Sequence, residues 1–166
     1  MSVHPNVESV TRVLATAAPG AQVRHLEAAA TTAALAAAAL GCEVGAIANS
    51  LVFMAADPSG GEHVRPLLIM TSGAHRVDLG FVAATQGTGS LRRATAAEVR
   101  TATGQPIGGV APVAHPTPLP TLVDEDLAAY PTVWAAAGTP HTVFPATYAQ
   151  LVAMTRGRPV GVTPEA

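Results

Sequence analysis

Ala46-Ile-Ala-Asn-Ser-Leu-Val-Phe-Met54 has the two-residue alternation of a β-strand. Ile47, Asn49, Leu51 and Phe53 fall on one face, and Ala48, Ser50, Val52 and Met54 on the other. Asp57-Pro-Ser-Gly-Gly61 supplies turn chemistry, and Pro66 to Thr71 returns as a second strand, so the two form a hairpin. Asn49 is polar on an otherwise apolar face. Such a residue is either a hydrogen-bonded core group or the lining of a pocket.

Helical spacing of Val7, Val10, Val13, Leu14 and Ala17 opens the chain, and Pro19-Gly20 stops that helix. Val23 to Leu26 is a short strand. Thr31 or Thr32 caps a second helix that ends at Gly41. Leu79 to Ala84 reads as a short helix and Ser90 to Arg92 as a short strand. Thr95 with Glu98, and Thr147 with Gln150, have capping-box spacing and open two further helices. Gly104 to Pro120 is dominated by glycine and proline, a length at which ordered loops are often functional. Thr121 to Val123, Thr132 to Ala136, Thr142 to Phe144 and Pro159 to Val162 are strands, with Asp124 as a cap. Helices and strands alternate irregularly, which predicts an α+β fold with a mixed sheet in a single domain spanning 1–166.

Composition narrows the function. Of 166 residues, 49% are hydrophobic and 12% charged, so the chain can build a core. Net charge is −2 and lysine is absent, all nine basic residues being arginine. A long nucleic-acid footprint needs a basic stripe, so any such contact must be short and local. The single cysteine, Cys42, excludes an internal disulfide. No apolar stretch reaches the roughly 18 residues that span a bilayer, and no signal peptide opens the chain. The expectation is a soluble cytoplasmic protein. A neutral, alanine-rich surface is compatible with a homodimer. There is no Walker loop, no His-Glu-x-x-His and no G-x-S-x-G, and the six histidines lack ligand spacing.

Five segments, taken in order, carry a resemblance. They are Ala46 to Phe53; Pro66 to Gly73 with Arg76-Val-Asp78; Arg92 to Val99; Thr103-Gly-Gln-Pro-Ile-Gly-Gly-Val-Ala-Pro112 with His115; and Leu122-Val-Asp124 with Trp134-Ala-Ala-Ala-Gly138. Together they resemble the YbaK and prolyl-tRNA-synthetase-associated editing family over about residues 41–151. That resemblance implies a YbaK-like, partly barrel-like mixed β-sheet with flanking helices. It implies hydrolysis of the ester of a mischarged tRNA, such as alanine or cysteine on a proline tRNA, with no metal or other cofactor. The implied partners are the acceptor end of an aminoacyl-tRNA and an aminoacyl-tRNA synthetase. The family places a lysine just before its Ser/Thr-Leu-Val-Phe run; here that position is Asn49.

On this reading Asn49, Gly108 and His115 are the catalytic candidates. Gly108 and Gly109 admit close backbone approach, and either their N–H groups are oxyanion donors or holders of the terminal ribose, or the pair is an ordinary glycine turn. Pro112 stiffens the loop. His115 either orients water, binds the tRNA end or is simply solvated. Ile47, Leu51, Phe53, Val110 and Ala137 are expected to line a pocket for a small side chain, while Ser50 points away from Asn49 if the strand is regular. Asp78 either accepts a hydrogen bond from substrate or caps a turn. Gly73 and Gly138 either admit substrate or terminate strands. Arg92 and Arg93 either contact phosphate or are solvated. Two other readings stay open: a binding module of the same fold, and a hydrolase of small esters.

Overall fold

The computed structural model describes residues 3–164; Met1, Ser2, Glu165 and Ala166 of the expected domain lie outside the described residues. The described residues build five α-helices and eight strands in two sheets. β2 (Ala48–Ala56) and β3 (Val64–Ser72) form the predicted antiparallel hairpin, in register from Ala48 opposite Ser72 to Ala56 opposite Val64. Asp57 Oδ1 organises its turn by accepting from Ser59 N–H at 2.8 Å and Ser59 Oγ–H at 2.6 Å. β4 (Leu91–Arg93), β5 (Thr121–Asp124) and β8 (Arg158–Val160) complete a five-stranded sheet in the order β4-β2-β3-β5-β8, with β5 parallel to both its neighbours. β1 (Arg24–His25), β6 (Val133–Ala136) and β7 (Thr142–Ala146) make an antiparallel sheet ordered β1-β7-β6. Among the described residues a single parallel bridge, Ile47 to Trp134, links the two sheets, so the barrel is partial and not closed.

The alternation of β2 divides the core. Ala48, Val52 and Met54 join Leu68, Met70 and Val123 against the small sheet, α1 (Pro5–Ala17) and α5 (Tyr148–Thr155). Phe53 joins Leu67, Ile69 and Leu122 on the opposite face, covered by Val82 of α3 (Leu79–Gln86). Burying a side chain of this size stabilises by about 1.5–3 kcal/mol, and both faces contribute. α2 (Ala33–Leu40) lays Ala33, Ala36 and Ala37 on Ile47. The two predicted capping boxes are both formed: Thr95–Glu98 opens α4 (Ala96–Thr103) and Thr147–Gln150 opens α5. Asp124 caps a short 3₁₀ turn, Glu125–Ala129. Among the described residues, no helix is long and apolar enough to cross a membrane.

Candidate functional site

β2 outruns its neighbour, and that mismatch makes the site. β3 accompanies β2 along its whole length, but β4 pairs only with Phe53 to Ala55. Beyond β4, Ala94 N–H still reaches the Val52 carbonyl at 3.1 Å. The next contact along this edge is the bridge at Ile47. Between them the edge is uncovered. Backbone groups of alternate residues in an antiparallel strand point to the same edge. Val52 and Ala56 use this edge to bond Ala94, Gly89 and Ser90. Ser50 has the same parity, so its N–H and C=O face the gap with no strand partner.

A cavity of about 360 Å³ occupies that gap. Its walls come from β2, from Trp134, Ala135 and Ala136 of β6, from Val143 of β7, from Thr31, Thr32 and Ala36 at the start of α2, and from Ile107, Gly108 and Val110 of the Gly/Pro loop. Most of these side chains are apolar, and among the described residues Arg93 is the one charged residue in the lining. No carboxylate or imidazole lines it among the described residues. Asn49 is half-buried, and its amide has no hydrogen-bond partner among the described residues. Ser50 lies on the other face, as the alternation predicts, with its hydroxyl 3.3 Å from Met70 Sδ. Both residues reach the cavity because it opens at the strand edge, not over one face.

The structure gathers Ile47, Asn49, Ser50, Leu51, Gly108 and Val110 around this cavity. Gly108 takes the left-handed conformation, φ 88°, with Thr31 3.7 Å from where a Cβ would stand. Its N–H has no hydrogen-bond partner among the described residues, which leaves one donor of the predicted kind.

Eight other candidates lie outside the lining. Phe53 packs in the opposite core, 2% exposed, because it is one step too far along β2 and sits behind β4. Gly109 donates its N–H to Pro106 C=O at 3.0 Å and packs against the Thr139–Pro140 backbone, so a turn consumes the expected oxyanion donor. Pro112 and His115 line a separate hollow beside Met154. Ala114 adopts φ 67°, and His115 folds back so that Nε2 meets Ala111 C=O at 2.8 Å. Burial holds the His115 pKa below its ordinary value, partly opposed by that hydrogen bond. Asp78 caps α3 by accepting from Phe81 N–H at 2.9 Å. Gly73 gives room to Val44 and Ala33, Gly138 to Asn6, and Ala137 is fully buried core.

Sequence reasoning did not identify Gln105. Its side chain is 1% exposed; Oε1 accepts from Ala111 N–H at 2.6 Å and Nε2 donates to Val113 C=O at 3.3 Å. It ties the loop that carries Gly108 and Val110 into a fixed path. A buried polar residue amid glycines and prolines is the signal that marks it. Nor did it place the only tryptophan, Trp134, in the cavity wall.

One cluster resembles a cation site in composition: ligand atoms of His75, Asp124 and Asp126 lie within 4.8 Å of one another. Both His75 nitrogens already face carboxylates, Asp124 at 2.8 Å and Asp126 at 3.2 Å. Asp124 also accepts from Ser72 and Asp126 N–H, so the group closes on itself outside the cavity.

Residues 27–154 match the model of the aminoacyl-tRNA editing domain. A crystal structure of a proposed trans-editing enzyme for prolyl tRNA synthetase is similar, at 44% identity and TM-score 0.85, over 99% of this chain and 100% of that one. A scaffold protein used for computational epitope grafting is 38% identical, with TM-score 0.84, over 98% and 100% of the two chains. A hypothetical protein of solved structure is 26% identical, with TM-score 0.79, over 94% and 99%. No curated protein matches significantly.

Proposed function

The chain belongs to the aminoacyl-tRNA editing domain family, and from that premise we propose that it hydrolyses the ester of a mischarged tRNA in the cavity beside β2. The observation that carries this reading is that the uncovered backbone edge at Ser50, Gly108 with its unpaired N–H, and Asn49 with its free amide all line one small, mostly apolar cavity. Water adds to the ester carbonyl carbon, and the bond to the ribose oxygen then breaks. Amino acid and tRNA leave. The developing oxyanion needs N–H donors already in place, and Gly108 and Ser50 supply them. Asn49 is proposed to orient the water or the ribose. With no carboxylate or imidazole in the lining, the proton goes to the substrate or to bulk water. An aminoacyl ester is already activated, so positioning and oxyanion stabilisation suffice.

Cavity size supports a small amino acid. Ligand cavities span roughly 300–1,000 Å³, and this one is near the lower bound. Selection by size alone gives only about 1–3 kcal/mol per methylene, which is why a second, hydrolytic sieve improves fidelity. The relative at 44% identity, a proposed trans-editing enzyme for prolyl tRNA synthetase, supports a proline tRNA as substrate and a synthetase as working partner, with alanine or cysteine proposed as the amino acid from the family resemblance. The same lack of an acid or base in the cavity favours a second reading, a binding module without turnover.

A panel of mischarged tRNAs in chelator, run beside the methyl esters of the same amino acids, tests this. Hydrolysis confined to one tRNA pair is the expected result. Equal action on free esters points to a small-ester hydrolase, and tRNA binding without turnover to the binding module.

A further inference from the structure

Arg92 and Arg93 are adjacent in sequence but lie in opposite settings. Arg92 makes a two-pronged ion pair with Glu98, Nη1 to Oε1 at 2.8 Å and Nη2 to Oε2 at 2.9 Å, so its charge is matched. Arg93 points to the other face of β4, opposite Phe53 in register, with its guanidinium 5.6 Å from the centre of that ring. No carboxylate pairs with it among the described residues. Stacking fixes the planar group without neutralising it. It is exposed, and among the described residues it is the one charged side chain in the cavity lining.

A chain of net charge −2 with no lysine has no broad basic surface to attract an anion. An unmatched guanidinium at the mouth of an otherwise uncharged cavity therefore dominates the local field. Guanidinium binds a phosphate with two parallel N–H donors, which orients as well as attracts. We propose that Arg93 binds the phosphodiester next to the terminal nucleoside of the RNA and so sets how far the aminoacyl end enters the cavity. This rests on the functional reading above but does not require turnover.

Binding can be followed by anisotropy with a short single-stranded RNA ending in CCA, using wild type, Arg93→Gln, Arg93→Lys and Arg92→Gln, each verified as folded by circular dichroism. The expected result is a roughly tenfold weaker Kd for Arg93→Gln and a salt slope lower by about one. Arg93→Lys recovers part of the affinity, and Arg92→Gln stays within about twofold of wild type. Inorganic phosphate at matched ionic strength should compete only weakly, since one anion lacks the nucleoside; full competition would make this a free-phosphate site and overturn the RNA assignment. Equal affinity of Arg93→Gln and wild type, an equal loss in Arg92→Gln, or no RNA binding by wild type would also overturn it. RNA binding that depends on Arg93, in a protein that hydrolyses no ester, would retain this inference and remove the deacylase reading.

Discussion

Gln105 and Ala111 are joined by a 2.6 Å hydrogen bond from the Ala111 N–H to the buried Gln105 side-chain oxygen, which closes the loop that brings Gly108 and Val110 to the cavity. Gln105 Nε2 extends the same tie to Val113 C=O at 3.3 Å. Gln105→Leu keeps most of the volume but strands a buried donor and a buried acceptor. Leaving a buried group unpaired costs about 1–3 kcal/mol, so a loss of about 2–3 kcal/mol is expected. For a domain of this size that lowers Tm by roughly 5–10 °C. Thermal unfolding measures it, and hydrolysis should fall with it because Gly108 loses its fixed position.

Asn49 has an unused amide in the cavity, so its removal should affect chemistry and not folding. Asn49→Ala is expected to lower kcat by about a hundredfold, the scale for one lost polar contact to a reacting group, with Tm within about 2 °C of wild type. Asn49→Lys tests the departure from the family pattern. A large gain marks the native residue as limiting; a loss places Asn49 in a different working arrangement. Single-turnover deacylation separates these outcomes.

A Cβ on Gly109 would stand 2.5 Å from the Thr139 carbonyl carbon and 2.6 Å from Pro140 N. Both are backbone atoms and cannot swing aside. Gly109→Ala should therefore destabilise by about 1–3 kcal/mol, measured in urea. Its activity should drop because the turn from Pro106 moves, although Gly109 itself lies outside the cavity lining.

His115 gives a pH dependence with a defined sign. Burial lowers its folded-state pKa below the ordinary 6.5. As pH falls through that value, the unfolded chain takes up a proton that the folded chain resists, so stability decreases. Tm should fall between about pH 7.5 and about pH 5.5, and His115→Asn, which retains an N–H donor, should flatten that slope. Its kcat should stay close to wild type, because His115 lies in a separate hollow.

Much of this fold can be read locally. The alternation over 46–54, the turn at 57–61 and the spacings Thr95–Glu98 and Thr147–Gln150 each act within a few residues. The turn and both capping boxes form as read, while the strand runs from Ala48 to Ala56, two residues later than expected, because Val44–Ala46 winds into a 3₁₀ turn. The cavity depends on a length mismatch between β2 and β4 and on one bridge to Trp134, relations between segments far apart in sequence. Hence Asn49 and Ser50, on opposite faces, reach the same space, while Phe53, in phase with Asn49, does not. The glycines divide for a similar reason. Gly108 is at the cavity and Gly109 is not, because a turn bond to Pro106 and the Thr139 backbone decide which of the two faces inward. Asp78 and His115 are polar residues in loops whose partners, Phe81 N–H and Ala111 C=O, are supplied by their own segments.

The most direct measurement is single-turnover hydrolysis of alanyl- and cysteinyl-tRNA for proline by wild type and by Ala136→Phe. Ala136 is a half-buried wall residue of the cavity, so the larger ring fills the space without entering the packed core. The account predicts rapid loss of one ester with wild type, in chelator, and loss at the uncatalysed rate with the folded Ala136→Phe protein. An uncatalysed rate with wild type, or full activity in the variant, would contradict it.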